Sequence, residues 1–219
     1  MTDQESQPGL WALIREDYAS HRRDATRPGF RALAVYRFGV WRMGVRSKLL
    51  RAPLSLLYRA LYRRVRNVYG IELPYSATVG RRVVIEHQSG IVIHGASVIG
   101  DDCIIRQNVT LGIKRETELD RAPHLGRGVS IGAGAVLLGG IHVGEGASIG
   151  ANAVVLKDVP AGATAVGVPA KVLARPAATP PPAGPRGDNP LEGKLLAEAH
   201  AQAPAAGVAS GAMPEGGLA

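Results

Sequence analysis

Residues 125–155 read LGRGVSIGAGAVLLGGIHVGEGASIGANAVV, and an aliphatic residue returns there at every sixth position, from Leu125 through Ile131 to Val155. A period of six fits neither an α-helix nor the two-residue alternation of an ordinary strand. It is typical of a solenoid in which each hexad forms one short strand and one turn, and three hexads complete a coil. A glycine-rich sandwich or a loop-rich domain is the alternative, but the unbroken phase of the whole stretch argues against it.

The same period extends back to Val79, with two irregularities. The phase slips by two residues between Ile85 and Ile99, around the sequence QSG at residues 88–90. The second irregularity is the polar segment IKRETELDRAP, residues 113–123, which separates two hexads. We expect this segment to form a loop that projects from the coil, because insertions in repeat proteins usually project from one face and often carry function.

Composition divides the chain into three segments. Residues 1–70 contain 14 Lys and Arg against 5 Asp and Glu, whereas the remaining residues contain 12 against 13. We predict an N-terminal α-helical segment at residues 1–70, a repeat domain at residues 71–175, and a disordered tail at residues 176–219, where Ala, Pro and Gly dominate. The single cysteine, Cys103, excludes an intramolecular disulfide and is expected to fill a core position within a hexad.

Apolar residues at helical spacing predict three helices in the first segment, at residues 9–24, 30–51 and 53–67, the last starting at Pro53. The simplest interpretation of the arginines between them is the solvated face of a helical cap, and the alternative is contact with a membrane surface or another anionic polymer. Nucleic acid is disfavoured because no reading motif accompanies the charge. The chain shows neither a signal-peptide pattern nor an apolar run of about 18 residues, so we expect a cytoplasmic protein.

Three stretches carry a family resemblance. The repeat resembles the hexapeptide-repeat acyltransferases, and the sequences EHQSGIV at residues 86–92 and QNVTLG at residues 107–112 are similar to those of the serine O-acetyltransferases, including shorter forms found with polysaccharide genes. The resemblance covers about residues 9–173 and includes RRDATRPGFRALAVYRFGVW at residues 22–41. It implies a mainly β fold, a left-handed parallel β-helix of hexapeptide repeats with an N-terminal α-helical segment. General topology rules favour right-handed crossovers, so the hand rests on the resemblance alone.

Acetyl transfer from a thioester to a hydroxyl needs a base for the hydroxyl proton, and histidine suits this role because its pKa lies near neutral pH. The resemblance implies that His87 is the base and that Glu72 stands in for the aspartate that orients it. Glu86 falls where an aspartate of the family contacts the substrate amino group, and Asp24 matches a second substrate-binding aspartate. Arg121 matches the arginine that holds the serine carboxylate.

The loop sequence DRAPHLG lacks the family's second histidine, because Ala122 occupies its position. His124 lies two residues later, and two interpretations stay open for it: service from a rearranged loop, or no role in the reaction. His94 and His142 each follow an isoleucine that is expected to point inward, so they are predicted at exposed turns or flanks. No metal-binding constellation appears in the sequence, and acyl transfer from a thioester requires none.

For the co-substrate acetyl-CoA, the resemblance implies a groove between adjacent solenoids. Small residues would let the pantetheine arm approach the backbone, and two lysines would contact the nucleotide phosphates. These residues are Gly112, Ala133, Gly134, Ala151, Lys157 and Lys171. Homotrimers are expected, because the open groove needs a neighbour to complete it. Pairing of trimers into hexamers stays open, because it accompanies a longer helical cap in the family.

Three functions fit these residues. We expect transfer of the acetyl group to L-serine for cysteine biosynthesis. Serine is a zwitterion, and Glu86 with Asp24 could bind its ammonium group while Arg121 binds its carboxylate. The alternative is the same chemistry on a sugar or an exopolysaccharide precursor, which the altered loop at Ala122 and the two aspartate-to-glutamate positions keep open. A nonenzymatic β-helix scaffold is the third, and the sequence around His87 argues against it.

Overall fold

The computed structural model describes residues 8–173, so the tail predicted to be disordered, residues 176–219, lies outside the described residues. In the described part, three helices precede a series of short strands. The helices are α1 (Leu10–Ser20), α2 (Pro28–Met43) and α3 (Lys48–Tyr69). The strands are β1 (Ile71–Glu72), β2 (Thr78–Val79), β3 (Val84–Ile85), β4 (Ile91–Ile93), β5 (Val98–Ile99), β6 (Ile104–Ile105), β7 (Thr110–Gly112), β8 (His124–Leu125), β9 (Ser130–Ile131), β10 (Val136–Leu138), β11 (His142–Val143), β12 (Ser148–Ile149), β13 (Val154–Val155), β14 (Thr164–Val166) and β15 (Lys171–Leu173).

From β1 to β13, successive strands visit three sheets in turn, which we call A, B and C. Sheet A contains β1, β4, β7, β10 and β13, sheet B contains β2, β5, β8 and β11, and sheet C contains the remaining six strands. The pairings are parallel except for that of β15 with β14. The chain therefore winds as a parallel β-helix with three faces, and it turns at three edges, AB, BC and CA.

Strand register shows the length of each coil. In a regular coil, Ile131 pairs with Ile149, 18 positions later. Across the phase slip, Ile85 pairs with Ile105, 20 positions later, and across the polar segment Ile105 pairs with Ile131, 26 positions later. The predicted irregularities are thus insertions of two and eight residues into a coil of 18. The aliphatic residues of the predicted hexad phase are buried in one continuous core.

A second set of inward residues lies two positions before the aliphatic ones, and the sequence predicted only Cys103 among them. These are mostly small, for example Ala77, Ser97, Cys103, Ala135 and Ala147, and all are at most 3% exposed. The prediction that Cys103 fills a core position is confirmed: its thiol donates to the carbonyl of Gly126 at 3.1 Å, and burial raises the pKa of the Cys103 thiol to about 11.

The predicted helix bounds were wrong at the hairpin between the second and third helices. Helix α2 ends at Met43 instead of residue 51, and α3 begins at Lys48, before Pro53. Pro53 lacks the N–H that would bond to the carbonyl of Leu49, and a helix of 22 residues tolerates the loss of this one bond near its start. Helix α1 also ends earlier than predicted, at Ser20. Among residues 8–173, none of the helices has the length and apolarity needed to cross a bilayer.

Side chains of α2 cover the exposed edge of the first coil. The hydroxyl of Tyr36 donates to the carbonyl of Ala77 at 2.8 Å and accepts from the N–H of Val79 at 3.0 Å. The guanidinium of Arg37 donates to the carbonyl oxygens of Val79 and Gly80 at 2.9 and 2.6 Å. Strand β2 is the end strand of sheet B, so these two side chains replace the missing neighbouring strand.

His21 covers the end strand of sheet C in the same way. Its Nε2 atom accepts the N–H of Ile85 at 3.3 Å, and its Nδ1 atom lies 2.7 Å from the carbonyl oxygen of Asp17. These contacts require a neutral ring with its proton on Nδ1, and burial lowers the pKa of His21 below its ordinary value of 6.5. The carboxylate of Asp17 is also buried and pairs with Arg37 at 2.9 Å, which fastens α1 to α2.

The β-helix core predicts different outcomes for two adjacent residues of β12. Replacement of the buried Ile149 by Asp places an unpaired carboxylate in the core, so we expect a loss of at least about 3 kcal/mol in the free energy of unfolding. Ser148→Asp introduces the same carboxylate on the exposed side of the strand and serves as the control. Chemical denaturation monitored by circular dichroism measures both. Equal stability of the two variants would mean that the inward phase is wrong.

The lowered pKa of His21 predicts an acid-sensitive cap. Below pH 6.5 the His21 ring binds a proton in the unfolded chain but not in the folded chain. The stability that His21 contributes is therefore complete above pH 6.5 and declines as the pH falls. We expect the melting temperature to fall over this range, and His21→Gln to reduce the slope. His142→Gln removes an exposed histidine and should keep the wild-type slope. Identical slopes in the wild type and His21→Gln would contradict the prediction.

Candidate active site

The CA edge is a column of turns that connects sheet C to sheet A. One turn stands above the next because each coil repeats the same path. Backbone hydrogen bonds of 2.8–2.9 Å join neighbouring turns: Asn108 to Ser89, Gly134 to Gln107, and Asn152 to Ala133. The edge thus presents a continuous ridge of backbone and small side chains along the coil.

His87 lies in the first turn of this ridge, where the two extra residues of the phase slip are accommodated. The backbone there is left-handed, with φ of +66° at His87, +81° at Ser89 and +64° at Gly90. A Cβ atom on Gly90 would overlap the side-chain oxygen of Asn108, so this turn needs glycine for space as well as for its φ. The result is an exposed imidazole on a turn whose backbone is held by the next coil.

An open pocket of about 530 Å³ contains the His87 ring. Its other lining residues are Pro28, the first residue of α2, together with Gln88 and Gln107. The side-chain oxygen of Gln107 is buried, and residues 8–173 offer it no hydrogen-bond partner. Sequence reasoning missed Gln107, although it belongs to the quoted QNVTLG stretch. The signal was available, since Gln107 follows His87 by 20 positions, the length of that coil.

Glu72, the residue predicted to orient His87, contacts a helix instead. Its carboxylate lies 3.5 Å from the hydroxyl of Tyr62, and burial, with the charge of Glu72 as a further cause, raises the pKa of Tyr62 to about 12. Within residues 8–173, Glu72 forms neither a hydrogen bond nor an ion pair with His87. The orienting role of Glu72 stays a prediction.

The two acidic residues predicted to bind the substrate already have partners. Glu86 precedes His87 and forms an ion pair with Arg106 of the next coil, at 3.0 Å. Asp24 lies in the connection between α1 and α2 and accepts hydrogen bonds from the amide and hydroxyl of Thr26, at 2.8 and 2.6 Å. These bonds lower the pKa of Asp24 below its ordinary value. Both carboxylates remain partly exposed.

Arg121 lies at a different edge from His87. The loop of residues 113–123 connects β7 to β8 and therefore leaves the coil at the AB edge. Arg121 is largely exposed there and lies 3.8 Å from Glu118, in an open pocket that Lys114 and Lys157 also line. Ala122, at the position of the family's second histidine, is completely buried. Arg121 is thus available for a ligand, but it does not line the pocket of its own chain's His87.

His124 begins strand β8 and faces outward on sheet B. Its ring lies against that of His142 on the neighbouring strand, with centroids 5.0 Å apart. The backbone N–H of His142 donates to the Asp158 carboxylate at 2.8 Å. Neither histidine lines the pocket of His87, and a role of His124 in the reaction stays a prediction.

The residues predicted to line the acetyl-CoA groove also divide between two edges. Ala133, Gly134 and Ala151 lie on the CA ridge, in line with His87. Gly112 ends β7 and Lys157 follows β13, so both lie towards the AB edge, while Lys171 lies on the last strand, β15. One chain therefore carries His87 and the small-residue ridge on one edge, and Arg121 with Lys157 on another.

Comparisons with known proteins agree with this geometry. Residues 122–157 match the family model described as bacterial transferase hexapeptide, six repeats. A serine acetyltransferase of Synechocystis is 43% identical over 169 residues, which are 77% of this chain and 62% of the relative, and one of Synechococcus elongatus is 38% identical over 68% of this chain and 58% of the relative. The chain spans less than two thirds of the length of these curated relatives.

Two solved structures extend the likeness to three dimensions. The serine acetyltransferase of Vibrio cholerae superposes with a TM-score of 0.67 at 33% identity, over 79% of this chain and 69% of that chain. The soybean enzyme complexed with serine superposes with a TM-score of 0.65 at 36% identity, over 77% of this chain and 71% of that chain. The prediction of a left-handed parallel β-helix with an N-terminal helical segment is confirmed.

Proposed function

The chain belongs to the serine acetyltransferase family, and on this basis we propose that it transfers the acetyl group of acetyl-CoA to the hydroxyl of L-serine. The observation that carries the proposal is the exposed His87 ring on the CA ridge, in an open pocket that Pro28 of α2 also lines. A base with an accessible ring suits a small polar acceptor molecule. The helices then form a cap, and residues 71–173 form the catalytic unit. We place the protein in the cytoplasm, where both substrates are available.

In this mechanism, His87 takes the proton from the serine hydroxyl as its oxygen bonds to the thioester carbonyl carbon. The carbon–sulfur bond then breaks, and His87 returns the proton to the departing thiolate. Backbone N–H groups would stabilise the negative charge that develops on the carbonyl oxygen. Glu72 would have to leave Tyr62 and turn to His87 to act as its orienting carboxylate.

A homotrimer would complete the site, because the halves lie on different edges of one chain. In a closed ring of three parallel coils, the CA edge of each copy can meet the AB edge of the next. His87 and the small-residue ridge of one copy would then face the loop of Arg121 of its neighbour. Lys157 and Lys171 are the proposed contacts for the nucleotide phosphates of acetyl-CoA, and Gly112, Ala133, Gly134 and Ala151 the proposed contacts for its pantetheine arm.

Transfer to a sugar or an exopolysaccharide precursor is the second candidate, and one observation favours it. Glu86, the proposed partner of the serine ammonium group, already pairs with Arg106. A neutral hydroxyl acceptor would not compete for that carboxylate, whereas serine would. Serine remains the first choice because Arg121 and Asp24 still offer it both charges, and because the related soybean structure holds serine.

The purified full-length chain tests the two candidates directly. It should release thiol from acetyl-CoA in the presence of serine and form O-acetylserine, as detected by mass spectrometry. A panel of monosaccharides and nucleotide sugars provides the competing acceptors. Acetylation of a sugar together with no detectable acetylation of serine would overturn the first choice.

Replacement of His87 tests the proposed base. The variant His87→Asn is better suited than His87→Ala, because asparagine tolerates the left-handed backbone of this turn. We expect kcat to fall by roughly two to four orders of magnitude, the usual effect of losing a general base. His142→Ala provides a control, since His142 is exposed on strand β11 of sheet B and does not line the pocket of His87. Activity of His87→Asn above a tenth of wild type would exclude His87 as the base.

Replacement of Arg121 tests recognition of the serine carboxylate. Arg121→Ala should raise KM for serine by about tenfold or more, because an unpaired carboxylate loses its charged hydrogen bonds. KM for acetyl-CoA should change little. Arg115→Ala is the matched control, since Arg115 lies in the same loop and also pairs with Glu118. An equal effect of both substitutions would indicate that the loop as a whole matters, and not the contact of Arg121 with serine.

A further inference from the structure

The end of the helical hairpin exposes an unusual concentration of large apolar side chains. We call this surface the hairpin tip and define it as residues 40–63, the end of α2 and the first part of α3. Leu49 is 88% exposed and Leu56 is 70% exposed, values that a core-facing leucine does not show. The tip also exposes Val40, Trp41, Met43, Leu50 and Leu57.

The leucines of the tip form a stripe along one side of α3. Leu49 and Leu56 are seven residues apart, as are Leu50 and Leu57, so each pair lies on the same side of the helix after two turns. Tyr58 and Val65 mark the opposite side, where α3 packs against the rest of the protein. Helix α3 thus has two apolar sides, and only one of them is used within the described part of the chain.

The sequence around this stripe contains many basic residues and no acidic ones. Between Asp24 and Glu72 the sequence contains 11 Lys and Arg and no Asp or Glu. Some of these arginines are structural: Arg42, for example, is buried against the rings of Tyr58 and Tyr75. Others are exposed and form no ion pair with a carboxylate of residues 8–173. The exposed ones include Arg46, Lys48, Arg59, Arg63 and Arg66.

This charge distinguishes between the possible occupants of the tip. A second copy of the chain, docked tip to tip, would bring the same uncompensated cations face to face, and like charges repel. An anionic lipid surface instead offers phosphates to the cations and an apolar interior to the leucines. Trp41 supports this choice, because tryptophan is favoured where an apolar surface meets a polar one.

We propose that the hairpin tip binds the surface of an anionic lipid bilayer. Leu49, Leu56 and Trp41 enter the boundary between headgroups and acyl chains, while Lys48 and Arg59 contact headgroup phosphates. The helix lies along the surface and does not cross it. If the chain forms the trimer proposed above, three tips face the same direction and bind one bilayer together, which strengthens a weak single contact.

Vesicle sedimentation with the full-length protein tests the proposal. Vesicles of phosphatidylcholine mixed with an equal amount of phosphatidylglycerol should bind the protein, vesicles of phosphatidylcholine alone should not, and high salt should weaken binding. The measurement uses no substrate, so its outcome is independent of the proposed acetyl transfer. Absence of binding to the anionic vesicles at low salt would overturn the proposal.

Two variants separate the apolar and the charged contributions. Leu49→Ser combined with Leu56→Ser should lower the partition coefficient by about tenfold or more, because serine buries less apolar area in the bilayer than leucine does. Arg59→Gln combined with Arg63→Gln should lower it by about thirtyfold, at about 1 kcal/mol for each cation. Arg115→Gln combined with Arg127→Gln removes the same charge from the coil and should leave binding unchanged. Equal losses in the tip and control variants would mean that only net charge matters, and the proposal would be wrong.

Molar mass in solution tests the competing occupant. Light scattering should give the same assembly size for the wild type and the leucine variant, and melting curves should show that both are folded. If the leucine substitutions halved the assembly and left vesicle binding unchanged, the tip would be a contact between copies of this chain, and the lipid proposal would fall.

Discussion

The open end of the first coil is the constraint on which the rest of this structure depends. Each inner coil of a solenoid pairs with a neighbour on both sides. The first coil has no neighbouring coil on its outer side, so its strands leave backbone groups unpaired there. Tyr36, Arg37 and His21 supply partners for those groups. An unpaired buried polar group costs about 1–3 kcal/mol, so the cap contributes to the stability of the coil itself. Leu33, which is completely buried, belongs to the same hydrophobic core as the hexad residues.

The same packing builds the candidate active site. Gly29 lies against the Ile85 carbonyl so closely that a Cβ atom would overlap it, and Pro28 consequently lines the pocket of His87. His21 holds the N–H of Ile85 just before the left-handed turn, and Asn108 holds the carbonyl of Ser89 within it. The backbone is therefore fixed on both sides of His87, while the imidazole stays exposed. If His87 is the base, as proposed, it can act without first ordering its own turn.

Periodicity explains which features could be predicted from the sequence. The hexad phase identifies the buried aliphatic residues, and the projecting loop follows from the break at residues 113–123. Contacts between coils are also periodic: Arg82 pairs with Asp102 and Glu86 with Arg106, each 20 positions apart. Their spacing follows from the two-residue phase slip, but which of the facing side chains pair depends on the shape of the turns, which the period does not describe. The contact of Tyr62 with Glu72 depends on how a helix lies against the coil, which no repeat describes.

The two halves of the candidate site lie on different edges of one chain, and this limits how copies of the chain can assemble. His87 on the CA edge and Arg121 on the AB edge lie on different surfaces, so a contact that joins them between copies is heterologous. A two-fold contact pairs identical surfaces and would leave each edge facing its own equivalent. A closed cyclic arrangement pairs unlike edges and keeps every coil pointing the same way. In the proposed trimer the three caps therefore lie at one end, and the hairpin tips share one plane.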